Sequence, residues 1–237
     1  MPRAPRQMRL TAAHVARVHR SMPDPGPQVF PGLRLATDAD FAAIVGEMLA
    51  TRPPGPLWLF AYGSLIWRPE TAFVESRHAV VRGWHRRFCL GWDYRFRGNR
   101  EAPGLMLALD RGGQCRGMLY RLPEETLNKE LGQLVRREVS MVPSAFPWRW
   151  VDVVTDDGPL KALTFAMNRK SGRYIAHLSD DELADVLAKA VGHRGSMAEY
   201  LFSTVQKLEE LGIHDRNLWR LQALVADRID AAYPTEP

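Results

Sequence analysis

Cysteine is scarce in this chain: Cys89 and Cys115 are the only two among 237 residues. Two thiols cannot form a disulfide framework, and without paired spacing they do not form a zinc cluster, so a reducing, cytoplasmic setting is expected. No apolar stretch reaches the ~20 residues of a membrane helix, and no secretory core follows the first methionine. A membrane partner is therefore not expected. The seven histidines are scattered and none stands in His-Glu-x-x-His, which leaves no metal site to predict. Ser64 lacks the Gly-x-Ser-x-Gly elbow and an assignable histidine, which argues against a serine hydrolase. Repeats and low-complexity tracts are absent too, so solenoids and disordered scaffolds fall away.

What is present is an ordinary globular composition, 46% hydrophobic and 25% charged, with a net charge of +5. That charge is localised. Arg3, Arg6, Arg9, Arg17 and Arg20 precede the first acid, Asp24, and the 32 basic residues less those five equal the 27 acidic ones. The body of the chain is neutral, which argues against a nucleic-acid surface and leaves a basic arm as the one place for an acidic partner.

Residues 1–35 read as a basic N-terminal extension and residues 36–237 as one domain. Thr11 is placed to cap a short helix over 12–20, and Asp38 or Asp40 a second helix through Leu49. Proline-rich breaks follow each, at 22–27 and 52–56. From Leu57 the pattern turns to strands, at 57–62, 79–91, 104–109, 115–121, 148–155 and 160–167. Arg111-Gly112-Gly113 and Asp156-Asp157-Gly158 both read as hairpin turns. A helix from Pro123 to about Val139 interrupts them. Ser179-Asp180-Asp181-Glu182 and Ser196-Met197-Ala198-Glu199 both fit the Ser-x-x-Glu capping box, Gly212 closes the second helix, and Asp215 opens a last one through Ala232. Strands followed by gathered helices indicate an α+β fold.

Two segments carry chemistry. In Leu57-Trp58-Leu59-Phe60-Ala61-Tyr62-Gly63-Ser64-Leu65-Ile66-Trp67, an apolar strand stops at Tyr-Gly-Ser-Leu. Glycine at such a stop permits angles a side chain forbids and can turn amides toward an anion, although an ordinary tight turn has the same signature. On the 123–139 helix, Leu127, Leu131, Leu134 and Glu138 share one face. Glu138 is thus a carboxylate on an apolar stripe at the helix's negative end, where desolvation and the dipole both raise its pKa. That suits a general base. A solvated helix end, or a structural ion pair with Arg136 or Arg137, is the alternative.

Other groups have plainer readings. Glu199 is explained by its capping position and Cys89 by burial as a small hydrophobe. His85-Arg86-Arg87 and Arg95–Arg100 read as a solvated edge and loop, with an anion-attracting rim second. Trp148 and Trp150 alternate as strand faces do and suit either core or pocket wall.

Taken together, these segments resemble the ChaC-like family of γ-glutamylcyclotransferases, which act on glutathione. The resemblance is carried by Phe60-Ala61-Tyr62-Gly63-Ser64-Leu65-Ile66-Trp67, Gly83-Trp84-His85-Arg86-Arg87-Phe88-Cys89-Leu90, Gly117-Met118-Leu119-Tyr120-Arg121-Leu122-Pro123, Arg137-Glu138 and Gly195-Ser196-Met197-Ala198-Glu199-Tyr200-Leu201-Phe202. It spans roughly residues 35–232. It implies a small mixed β-barrel flanked by helices, a substrate loop drawn from Phe60, Ala61, Tyr62, Gly63, Ser64 and Leu65, a catalytic Glu138, and no cofactor. Tyr200 matches a helical Tyr-Leu-Phe motif and could offer a phenol to the site or serve the core. The implied substrate is a small molecule whose own amine attacks its γ-carbonyl. Members of the family often carry glycine and then tyrosine after the glutamate; residues 139–146 have neither. That leaves other γ-glutamyl peptides or amines open as substrates, beside a non-catalytic module that binds through its basic arm.

Overall fold

In the computed structural model of the protein, residues 7–234 are described. In chain order the elements are α1 (Ala12–Val18), β1 (Arg34–Leu35), α2 (Asp38–Ala50), β2 (Trp58–Ala61), α3 (Ser64–Trp67), β3 (Glu75–Asp93) and β4 (Gly104–Arg121). A 3-10 turn, Glu124–Thr126, leads into α4 (Leu127–Glu138), followed by β5 (Met141–Val142), β6 (Trp148–Thr155) and β7 (Gly158–Phe165). The last elements are α5 (Asp180–Lys189), β8 (Val191–Gly192), β9 (Gly195–Ser196), α6 (Met197–Glu210) and α7 (Arg216–Ala232). They fall into two units. The first holds residues 27–90 and 107–174, and the second the described parts of 1–26, 91–106 and 175–237.

The first unit contains the barrel, closed in the order β2-β4-β3-β6-β7. β2 runs antiparallel to β4 and parallel to β7, where Leu59 pairs with Leu163. The closure therefore mixes both pairings, as the resemblance implied. Phe60, Leu109, Leu119, Leu163 and Phe165 are buried in this unit, each contributing about 1.5–3 kcal/mol relative to exposure. Gly117 lets β4 approach β2 closely, since a Cβ there would lie 2.3 Å from the Ala61 carbonyl oxygen.

The Asp156-Asp157-Gly158 hairpin forms, with Thr155 paired to Gly158. The expected hairpin at Arg111-Gly112-Gly113 does not. β4 is a single strand through both glycines, whose φ values are 106° and 67°. They bend a continuous strand rather than reverse it, and His85 Nδ1 lies 2.9 Å from the Gly112 carbonyl oxygen. Two-residue ladders are additions to the expected strands: β1 with β5, and β8 with β9. The α2 cap is Thr37 rather than Asp38 or Asp40; its hydroxyl accepts from the Asp40 amide, and Asp40 completes the box.

In the second unit, Thr11 caps α1 and Ser179 caps α5 with a full box. Ser196 caps α6, but Glu199 does not close that box; its carboxylate meets Arg97 Nη1 at 2.6 Å instead. Arg97 is therefore buried and paired rather than solvated as expected. The leader is docked within this unit: Arg9 and Arg17 meet Asp230 at 2.8 and 2.5 Å, and Arg20 donates to the Lys189 carbonyl. Arg3 and Arg6 lie outside the described residues. No helix among the described residues is long and apolar enough to cross a membrane.

Candidate active site

The end of β2 is fixed before the chain turns. Thr164 Oγ1 donates to the Phe60 carbonyl at 3.0 Å, and the Tyr62 hydroxyl to the Phe165 carbonyl at 3.1 Å. Arg86 Nε donates to the Tyr62 carbonyl at 2.9 Å, and its Nη2 to the Arg116 carbonyl. Arg86 is buried, which corrects its reading as part of a solvated basic edge. Main-chain carbonyls satisfy its fork in place of water. Phe60 and Ala61 are wholly buried.

α3 then begins at once. The Gly63 carbonyl accepts from the Ile66 amide at 2.9 Å, and the Ser64 carbonyl from the Arg68 amide at 2.8 Å. No side-chain bond caps this turn; of its leading amides, that of Ile66 is met by the Gly63 carbonyl. Gly63 has φ −133°; left-handed freedom is not what places glycine there. Tyr62, Gly63 and Leu65 are buried, and Ser64 is half-buried.

α4 supplies the carboxylate. Leu127, Leu131 and Leu134 are buried as the spacing required, and the Glu138 side chain keeps 15% of its surface at the same face. Arg137 Nε stands 3.0 Å from Glu138 Oε1, and Arg137 Nη2 donates to Ser64 Oγ at 3.1 Å. A single guanidinium thus ties the glutamate to the Tyr-Gly-Ser-Leu turn. It also donates to the Arg68 carbonyl and lies 3.4 Å from Glu70. Arg136 points elsewhere, to Asp38 at 2.6 Å.

Burial raises the Glu138 pKa above the ordinary 4.5, with Arg137 opposing and the Glu70 charge reinforcing the rise. Desolvation prevails because the carboxylate exchanges water for one shared cation. Glu70 itself has φ 50°, a left-handed geometry that costs a non-glycine residue about 1–2 kcal/mol.

Sequence reasoning missed Glu130, which is 4% exposed. Its Oε2 accepts from Thr71 Oγ1 at 2.9 Å and the Ala72 amide at 2.8 Å, pinning the loop that carries Arg68 and Glu70. The signal was available: 130, 134 and 138 repeat every four residues along one stripe. Tyr200 belongs to the second unit, where it is 3% exposed and its ring lies 5.7 Å from the Arg97 guanidinium.

Fold and site together define an α+β barrel protein in which a sheltered carboxylate lies beside a helix-opening turn. The ChaC-like protein family model matches residues 57–228. The glutathione-specific γ-glutamylcyclotransferase of Escherichia coli (strain K12) is 40% identical over 195 residues, covering 81% of this chain and 83% of that protein. The glutathione-specific γ-glutamylcyclotransferase 1 of Homo sapiens is 31% identical, covering 77% and 84%. A yeast γ-glutamylcyclotransferase specific to glutathione shares the fold, with TM-score 0.65 at 20% identity over 72% of this chain and 96% of that one. The chain belongs to the ChaC-like family.

Proposed function

We propose that this protein is a γ-glutamylcyclotransferase that cleaves glutathione to 5-oxoproline and cysteinylglycine. The observation that carries the reading is the Arg137 bridge, which holds a sheltered Glu138 beside Ser64 and the Tyr62–Leu65 turn.

The substrate brings its own nucleophile. Its α-amine must lose a proton before it can attack, and a carboxylate whose proton affinity is raised by burial is suited to take it. The new C–N bond closes the five-membered lactam, the scissile amide C–N bond breaks, and Glu138 returns a proton to the departing nitrogen. Folding the γ-glutamyl chain so that amine and carbonyl meet is proximity catalysis. In this reading the amides at the start of α3, which no side chain caps, hold an anionic group or the developing oxyanion. Tyr62 and Leu65 belong to the substrate loop of this reading. The two buried free thiols fit a cytoplasmic setting.

The test is direct: purified protein is incubated with glutathione and both products are quantified. Equimolar 5-oxoproline and cysteinylglycine are expected; folded protein that yields neither overturns the proposal. Residues 139–146 motivate a second reading, with another γ-glutamyl peptide or amine as preferred substrate. A substrate panel in which glutathione leads by a wide margin removes it.

A further inference from the structure

A second feature of the barrel unit shares no residue with the Glu138 site. An open groove of about 740 Å³ runs over β6, β3 and β4 beside α2. Its walls include Trp84, Trp148 and Trp150, and three arginines reach it: Arg82, Arg111 and Arg149. Trp148 and Trp150 are half-buried where they line the groove, so they form pocket wall, not core.

Many guanidinium groups of this protein meet carboxylates, as Arg34 meets Asp40, Arg95 meets Asp24, Arg169 meets Asp110 and Arg228 meets Asp185. Among the described residues, none of Arg82, Arg111 and Arg149 has a carboxylate within ion-pairing distance. Arg149 Nε is moreover shielded from solvent with no hydrogen-bond partner. Such a group is costly to leave unmade. Two of these cations crowd one indole, with the Arg111 and Arg149 guanidinium carbons 5.0 and 5.9 Å from the Trp84 ring.

Two acids also line the groove. Asp152 is engaged by Lys161 at 2.7 Å, which leaves Glu47 as the single unengaged carboxylate against three cations. Trp150 is anchored, its Nε1 donating to Thr51 Oγ1 at 3.1 Å, and Trp148 stands edge-on to it with ring centres 6.1 Å apart.

We infer that this groove is a binding site for a nucleoside phosphate, with the base against the tryptophans and the phosphate on the unpaired arginines. Planar guanidinium forks match phosphate oxygens, and indole faces take flat rings. The volume lies within the range of single small-molecule sites, roughly 300–1,000 Å³. A nucleic-acid strand would need positive charge to continue beyond the groove; Glu47 and Asp152 interrupt it.

The probe is ADP, titrated by calorimetry at low salt against the full chain, with adenosine, inorganic pyrophosphate and a ten-residue oligothymidylate alongside. ADP is expected to bind at least tenfold more tightly than adenosine or pyrophosphate. Arg149→Gln and Trp148→Leu, each checked for a native melting transition, should each weaken ADP at least tenfold and leave glutathione turnover unchanged. Absent ADP binding, pyrophosphate binding as tightly as ADP, oligothymidylate binding more tightly, or ADP affinity untouched in both variants would each overturn the site. Because the readout is binding, its failure is separate from failure of the cyclotransferase reading.

Discussion

The two ends of α4 carry two sheltered carboxylates, and they are held in opposite ways. Glu130 accepts from neutral donors, the Thr71 hydroxyl and the Ala72 amide, fixed hydrogen bonds that lock a loop. Glu138, two turns along the same stripe, has one cation that is also drawn on by Ser64, the Arg68 carbonyl and Glu70. A carboxylate fully met by donors is a structural clamp. One that shares a single cation keeps a raised proton affinity, as the proposed base requires. Burial alone does not separate the clamp from the proposed base; the partners do.

The sharpest break in that comparison is Glu138→Gln. It preserves the shape and an acceptor for Arg137 but removes the proton carrier, so glutathione turnover should fall by about 10²–10⁴-fold while circular dichroism is unchanged. The same variant reports on stability. A folded pKa raised above 4.5 means the folded state takes up the proton more readily than the unfolded chain. Stability is then complete below 4.5 and is lost as pH rises through the folded pKa. The glutamine variant escapes that loss, so it should melt at a higher temperature than the parent at neutral pH, with the gap closing as pH falls toward 4.5.

Next in size is Arg137→Met. It removes the charge that opposes burial and releases Ser64, so kcat/KM should drop by about a hundredfold, the loss typical of a misplaced reacting group. Its acid limb should move to higher pH, because Glu138 loses the one partner that favours its ionised form. Glu130→Ala should do the reverse of both: about 1–3 kcal/mol lower unfolding free energy from the stranded Thr71 and Ala72 donors, measured by urea denaturation, with kcat close to the parent's. Smallest is Ser64→Ala, which deletes one bond to Arg137 and should cost about two- to tenfold in kcat/KM.

Local chemistry explains what was legible in the chain beforehand. Asp156-Asp157-Gly158 makes a turn by its own backbone preferences, and Ser179 with Glu182 closes a box within four residues. The apolar stripe of α4 likewise carries its period in the sequence, which is why Glu138 could be placed on a sheltered face. Gly112-Gly113 misled because whether paired glycines reverse or bend a strand depends on a partner strand far away in sequence. Arg86 and Arg97 misled for a similar reason: their burial is decided by the Tyr62 carbonyl and by Glu199, 24 and 102 residues distant. An ion pair of Glu138 with Arg136 or Arg137 was among the alternatives, and Arg137 makes it; the second arm of the bridge, to Ser64, was beyond reach, since spacing does not choose where a guanidinium fork points.

The most direct measurement is a carbon-13 NMR titration of the Glu138 carboxyl, with its resonance identified by its absence in Glu138→Gln. The expected midpoint lies above 4.5 and coincides with the acid limb of kcat/KM for glutathione. A midpoint at or below 4.5 would make Glu138 one half of an ordinary ion pair and contradict its role as the base.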